Sequence, residues 1–121
     1  MKLFKKIKKS FGFALAGVSF FFQERNIKIH LTISFLVIIF GFLFKVTAAE
    51  WIFLIFSMVL VIGFEILNTV IEEFIDFTNP EKSEKVMIIK DLAAAAVLVA
   101  VAGSIMVGLI IFTPYVISAL Q

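Results

Sequence analysis

The chain of 121 residues contains no cysteine, two prolines and a single histidine. Without cysteine no disulfide can form, and the redox compartment is not indicated. One histidine and no thiolate also make a zinc site implausible. Neither G-x-x-x-x-G-K-[ST] nor G-x-G-x-x-G occurs, which excludes a P-loop and a protein-kinase nucleotide site. Lysines are numerous near the start of the chain, but no nucleic-acid-binding motif accompanies them, so no nucleic acid partner is expected.

What the chain has in excess is apolar side chains. Hydrophobic residues make up 62% of the sequence, including sixteen phenylalanines, and the mean hydropathy is +1.13. Soluble domains contain roughly 45–50% apolar residues. A single domain of this length has too small an interior to bury the surplus, so lipid is expected to be the solvent for most of residues 1–121.

Three segments are expected to cross the bilayer, giving an all-α integral membrane protein. Residues 92–113 form an uncharged run of twenty-two, and about twenty residues span the hydrocarbon core. Two further uncharged runs, 31–44 and 51–64, have fourteen residues each. The first run reaches spanning length if the helix continues past Lys45, with the lysine side chain extending its charge to the membrane surface. The second run reaches it only if residues 65–68, EILN, are also in the membrane. The predicted spans are 29–49, 51–76 and 91–113, with a loop at 77–90.

The distribution of positive charge predicts the orientation. Ten of the eleven Lys and Arg residues precede His30 or lie between Asp76 and Asp91. Short cytoplasmic loops carry such an excess of positive charge. The N-terminus and the 77–90 loop are therefore expected in the cytoplasm and the C-terminus outside.

Residues 3–22 are expected to form a fourth helix that lies on the membrane surface. Apolar residues such as Leu3, Phe4, Ile7 and Phe11 recur at helical spacing among four lysines. A basic amphipathic helix of this kind lies in the interface and is attracted to anionic lipid. It is either an anchor alone or part of a functional site.

The stretch EILNTVIEEFID, residues 65–76, concentrates acid at the end of an apolar helix. At 100° per residue, Glu65, Asn68, Glu72 and Asp76 share a stripe about 80° wide, and Glu73 lies at its edge. If Trp51 is at the outer interface, Glu65 lies about 21 Å inward and Glu72 about 31 Å. Glu73 is interpreted as the solvated end of a helix. Glu65 and Asn68 are too deep for that interpretation, and membrane-buried acids are usually functional.

Two more polar clusters are expected on the cytoplasmic side. Glu24, Arg25, Asn26 and His30 precede the first span, and Lys90 and Asp91 open the third. Taken singly, Asp91 also fits a helix N-cap and the cations fit topology signals. Together the clusters combine carboxylates suited to Mg²⁺ with cations suited to phosphate. This favours an enzyme that joins a lipid to a water-soluble reactant, with a small transporter or channel as the alternative and a non-catalytic assembly protein as a third.

Three motifs, EILNTVIEEFIDF, KDLAAAAVLVA and ERNIKIH, resemble the signatures of the prokaryotic diacylglycerol kinase family, which includes undecaprenol kinases. The resemblance covers essentially the whole chain. It implies a homotrimeric helical bundle in the bacterial cytoplasmic (inner) membrane that phosphorylates a lipid hydroxyl with Mg·ATP. Diacylglycerol and undecaprenol both remain open as the lipid. Small residues four apart, Ala96, Ala100, Ser104 and Gly108, suit close helix contact within or between chains.

The resemblance also implies roles for individual residues. Glu65 falls at the position of the general base, with Asn68 beside it in the catalytic motif. Glu24 and Glu72 fall at the positions of the Mg²⁺ ligands. The remaining residues expected to contact the nucleotide are Lys6, Lys9, Phe13, Asp76, Glu81, Lys90 and Asp91. Phe13 stands where tyrosine is common in the family, so a hydroxyl that might touch the nucleotide is missing.

Overall fold

The protein is built from four helices and short connections. The structure, a computed structural model, describes residues 1–121 except for the side chain of Arg25, one of the expected cytoplasmic cations. The helices are α1 (Lys2–Phe21), α2 (Arg25–Leu43), α3 (Ala48–Thr78) and α4 (Glu84–Leu120). No strand occurs in the described part of the chain. Helices α2, α3 and α4 are long and apolar enough to cross a membrane, which confirms the prediction of an all-α, multi-pass protein.

The first spanning helix ends earlier than expected. It stops at Leu43 and does not continue to residue 49. Lys45 adopts a left-handed backbone conformation with φ 54°, which a right-handed helix cannot contain. Thr47 then caps α3: its hydroxyl accepts from Glu50 N–H at 3.2 Å, while the Glu50 carboxylate accepts from Thr47 N–H at 2.9 Å. This capping box satisfies two amide groups and fixes the start of α3.

The loop between α3 and α4 is shorter than the expected 77–90. Helix α3 continues to Thr78, and α4 begins at Glu84 with Ser83 as its N-cap, accepting from Val86 N–H at 3.2 Å. Asn79 and Pro80 lie between the two helices, where proline's missing amide hydrogen breaks no helical bond. Because residues 84–90 are helical, Asp91 is inside α4 and the N-cap interpretation of Asp91 is wrong.

Helix α4 also passes the expected end of the third span at residue 113. It continues through Pro114 to Leu120. A proline inside a helix removes one backbone hydrogen bond, and membrane helices tolerate this where neighbouring groups compensate. Tyr115, which follows Pro114, donates a hydrogen bond to Glu50 Oε1 at the start of α3. This contact joins the two helix ends.

The best-packed region lies at the end of the bundle remote from the acidic stripe. Val46, Leu54 and Ile111 are buried there. Around them pack partly buried side chains: Val37, Phe44, Trp51, Val107, Phe112 and Tyr115. Elsewhere α3 and α4 run alongside each other, and most of the large apolar side chains are exposed in the single chain. Such exposure is expected when lipid or another copy covers the surface.

Helix α1 corresponds to the expected surface helix 3–22. Residues 1–20 are exposed in the single chain and Phe21 is buried. A turn at 22–24 connects α1 to α2, with Gln23 N–H donating to Phe20 O at 3.2 Å. The contact of α1 with a membrane surface stays a prediction.

Candidate active site

Glu65 is a buried carboxylate whose two oxygens face side chains of another helix. It is 5% exposed. Asn26 Nδ2 donates to Glu65 Oε1 at 3.3 Å, and His30 Nε2 lies 3.5 Å from Oε2. Asn26 and His30 are four residues apart on α2, so they project from the same face of that helix. A carboxylate is expensive to bury without partners, and α2 supplies them.

One turn further along α3, Asn68 pairs with Glu72. Asn68 is 8% exposed, and its Nδ2 donates to Glu72 Oε1 at 3.3 Å. Its other polar atom, Oδ1, is buried and has no hydrogen-bond partner among the described residues. An unpaired buried acceptor costs about 1–3 kcal/mol and is rare in native proteins. A carboxylate and a free amide oxygen are ligand types that Mg²⁺ takes, so this pair suits a hard cation.

The stripe ends in an ion pair between α3 and α4. Lys90 Nζ lies 2.5 Å from Asp76 Oδ1. Both side chains are partly exposed, at 33% and 61%, so the pair contributes at most about 1 kcal/mol. Lys90 was expected to act together with Asp91, which is exposed on α4. Glu81, also expected at the nucleotide, is exposed in the loop 79–83.

Glu24 lies beside the stripe. It lines a cavity of about 390 Å³. The other lining residues are Phe20 and Phe21 at the end of α1, Gln23 in the turn at 22–24, and Ile66, Thr69, Val70 and Glu73 from α3. On the helical wheel these α3 positions fall at about 40–140°, next to the stripe that carries Glu72. The cavity therefore places Glu24 on the side of Glu73. Among the described residues no group of three or more His, Asp or Glu side chains is arranged to hold a metal ion.

The expected nucleotide contacts on α1 remain apart from the stripe in the single chain. Lys6, Lys9 and Phe13 are exposed. Lys9 Nζ lies 6.0 Å from the centroid of the Phe13 ring, at the limit of a cation–π contact. Neither lysine forms a hydrogen bond or ion pair with residues 65–76 in the described part of the chain.

An apolar cavity begins at His30. It has a volume of about 290 Å³ and lies between α2, α3 and α4. Its walls are aliphatic and aromatic apart from His30 and three serines: Ser34, Ser57 and Ser104. Ser104 Oγ already donates to Ser57 O at 3.1 Å. Because His30 also contacts Glu65, the buried carboxylate lies close to one end of this cavity.

The family model described as prokaryotic diacylglycerol kinase matches residues 12–112. This chain belongs to the prokaryotic diacylglycerol kinase family. Membership makes it a lipid kinase, which is a transferase, and it confirms the resemblance that the three motifs indicated. The match includes α2, α3 and most of α4, and therefore every polar residue of the site from Glu24 to Asp91.

Two relatives are similar over most of the chain. An undecaprenol kinase of Bacillus subtilis (strain 168) is 34% identical over 91 residues, covering 75% of this chain and 74% of that protein. A diacylglycerol kinase of Synechocystis sp. (strain ATCC 27184 / PCC 6803 / Kazusa) is 36% identical over 111 residues, covering 90% of this chain. The matched region spans 63% of the cyanobacterial protein. No solved structure matches the chain significantly.

The sequence places Asn26 and His30 in the polar cluster before the first span but does not connect them to Glu65. Their spacing of four residues on a helix was the available signal. It shows that the two side chains share a face. It does not show which residue of another helix they meet, because that depends on how α2 and α3 are aligned along the bundle.

Proposed function

We propose that this lipid kinase transfers the γ-phosphate of ATP to a lipid hydroxyl at the cytoplasmic face of the membrane. The proposal is supported above all by the position of Glu65. Its buried carboxylate lies close to the end of an apolar cavity, and the same helix carries exposed acidic residues. A lipid and a water-soluble reactant approach such a site from opposite sides. The arrangement gives a transporter less support, since transport sites usually lie near the midplane.

Glu65 is the proposed general base. It would accept the proton of the lipid hydroxyl as the oxygen attacks the γ-phosphorus, while the bond from that phosphorus to the β,γ-bridging oxygen breaks and ADP leaves. Glu72 is seven residues further along α3, or about 10 Å, so Glu65 serves the lipid and Glu72 serves the nucleotide. Asn68 lies between them, and its hydrogen bond to Glu72 fixes the carboxylate on the nucleotide side.

Glu72 and Glu24 are the proposed Mg²⁺ ligands, with Asn68 Oδ1 as a further oxygen donor. The unpaired, buried state of Asn68 Oδ1 supports this assignment. When bound, the metal ion would neutralise charge on the ATP phosphates. The proposed nucleotide contacts are the residues expected from the sequence: Lys6, Lys9, Phe13, Asp76, Glu81, Lys90 and Asp91.

Helix α1 is proposed to be an amphipathic surface helix and the assembly a homotrimer. The exposed apolar side chains of α1 and the lysines among them support contact with lipid. Extensive apolar exposure on α2–α4 supports contact with lipid or with other copies. The proposed location is the bacterial inner membrane, with the N-terminus and the loop 79–83 in the cytoplasm and the C-terminus outside.

The experiment is transfer of labelled γ-phosphate from Mg·ATP to lipid by the purified protein in mixed micelles. Diacylglycerol and undecaprenol are offered separately, because the two relatives are named for different lipids. We expect transfer to at least one of them. No transfer to either lipid, with cation flux in proteoliposomes, would instead support the transporter.

Glu65→Gln tests the base because it keeps the size and hydrogen-bonding capacity of the side chain. Losses of a general base are about 10²–10⁴-fold in rate. We expect kcat to fall by that amount while Mg·ATP binding is retained. Glu84→Gln is the matched control, since Glu84 is exposed in the first turn of α4 and outside the proposed site. Near-normal turnover of Glu65→Gln would remove Glu65 as the base.

A further inference from the structure

Helix α2 carries a pair of side chains that hold both oxygens of Glu65. The Asn26 and His30 contacts, at 3.3 Å and 3.5 Å, reach different oxygens of the same carboxylate. Ile27, between them in sequence, is 1% exposed and is the most completely buried large side chain described. Its packing fixes the rotation of α2. Asn26 itself is exposed and His30 is partly buried, so the helix anchored by Ile27 is what keeps both side chains beside Glu65.

The orientation of a carboxylate matters when it acts as a base. Each carboxylate oxygen has two acceptor positions. Asn26 occupies one position on Oε1, and a His30 Nε2–H group would occupy one on Oε2. One position then remains on each oxygen for a substrate hydroxyl. Without these contacts the carboxylate could rotate about its terminal bond, since that torsion has a broad energy profile.

We infer that Asn26 and His30 are positioning residues that aim the Glu65 carboxylate at the lipid hydroxyl, an inference that rests on the proposed function. His30 lines the apolar cavity and contacts Glu65, so it also defines the side from which the hydroxyl reaches the base. The amide of Asn26 holds the oxygen that His30 does not contact. Neither residue touches the phosphate or the reacting atoms, and both act through Glu65.

The test compares four single variants of the purified protein in the lipid phosphorylation assay. His30→Ala and Asn26→Ala are expected to lower kcat by about 10- to 100-fold through misplacement of the base, with KM for Mg·ATP unchanged. His30→Gln keeps a neutral N–H donor, so it should recover most of the turnover that His30→Ala loses. Thr32→Ala is the control on the same helix, because the Thr32 hydroxyl donates only to Lys28 O, at 2.8 Å.

Double variants with Glu65→Gln distinguish positioning from a merely structural role. A residue that acts only through Glu65 should cause little further loss once the base is gone. Multiplying losses in the double variants would overturn the inference, as would turnover of His30→Ala and Asn26→Ala equal to that of Thr32→Ala. If an alanine variant fails to assemble, Asn26→Leu and His30→Leu decide, because leucine fills much of the space without a hydrogen-bond donor: wild-type turnover of both would overturn the inference. Normal turnover of Glu65→Gln would instead remove the proposed base itself.

Discussion

Replacing Gly41 by alanine tests how α2 and α3 are joined at the end of the bundle remote from Glu65. Gly41 lies under the indole ring of Trp51, which also packs against Phe42 with ring centroids 5.0 Å apart. A Cβ atom added at position 41 would lie 2.4 Å from Trp51 Cη2 and 2.8 Å from Cζ2. Ordinary van der Waals contact begins at 3.4 Å. The ring must therefore move away by about 1 Å. This movement is costly because close-packed interiors have little free space.

The magnitude follows from two opposing terms. Overpacking of this kind costs about 1–3 kcal/mol, while replacing a helical glycine by alanine gains up to about 1 kcal/mol. Gly63→Ala isolates the gain in helix propensity. Gly63 is inside α3 and has no atom within 4 Å of an added Cβ, so it receives the propensity gain without the clash. The free energies of unfolding of the two variants should differ by about 1–3 kcal/mol, with Gly41→Ala the less stable.

The assay uses Trp51 as its own reporter, since the chain contains one tryptophan. Denaturant unfolding in detergent gives the stability of each variant, and the emission spectrum of the folded state reports displacement of the indole ring. We expect a shifted emission maximum for Gly41→Ala and a wild-type spectrum for Gly63→Ala. Equal stability and identical spectra for the two variants would refute the close approach of α2 to Trp51.

Two further predictions concern the metal ion and the topology. Glu24→Gln and Glu72→Gln should each raise the Mg²⁺ concentration needed for half-maximal activity, because each removes a ligand charge, whereas Glu84→Gln should not. If Glu73→Gln alone raised it, the side of α3 assigned to the metal would be wrong. Lys82→Cys in this cysteine-free chain should resist a membrane-impermeant thiol reagent in intact cells and react after lysis. Labelling in intact cells would place the loop 79–83 outside.

Position 82 suits the topology test better than its neighbour Ser83. Ser83 caps α4, and removing a serine N-cap costs about 0.5–2 kcal/mol. Lys82 is exposed in the loop and has no hydrogen bond among those described. A cysteine there reports exposure to reagent without loosening the start of the helix that carries Lys90.

The sequence determined the class of the protein and the composition of its acidic face. Hydropathy and length indicated three apolar helices. Polar backbone groups exposed to lipid are costly, and a helix satisfies all of them within one apolar segment. The spacing of Glu65, Asn68 and Glu72 placed them on one face, since the period of a helix is set by its own backbone and does not depend on neighbouring helices. The predicted positions of the helix ends were less accurate. Residue 45 turned out to be left-handed, and Ser83 rather than Asp91 caps α4, because caps depend on backbone conformation that hydropathy does not report.

Only the tertiary structure decided which residues of different helices meet. The contacts of Asn26 and His30 with Glu65 depend on the rotation and vertical alignment of α2 against α3, which follow from the packing of Ile27 and from the turn at Lys45. The same holds for Lys90, which pairs with Asp76 across the α3–α4 connection, and for Glu24, which lies beside Glu73. Periodicity along one helix contains no information about a neighbouring helix, so a sequence can place residues on a face but cannot assign their partners.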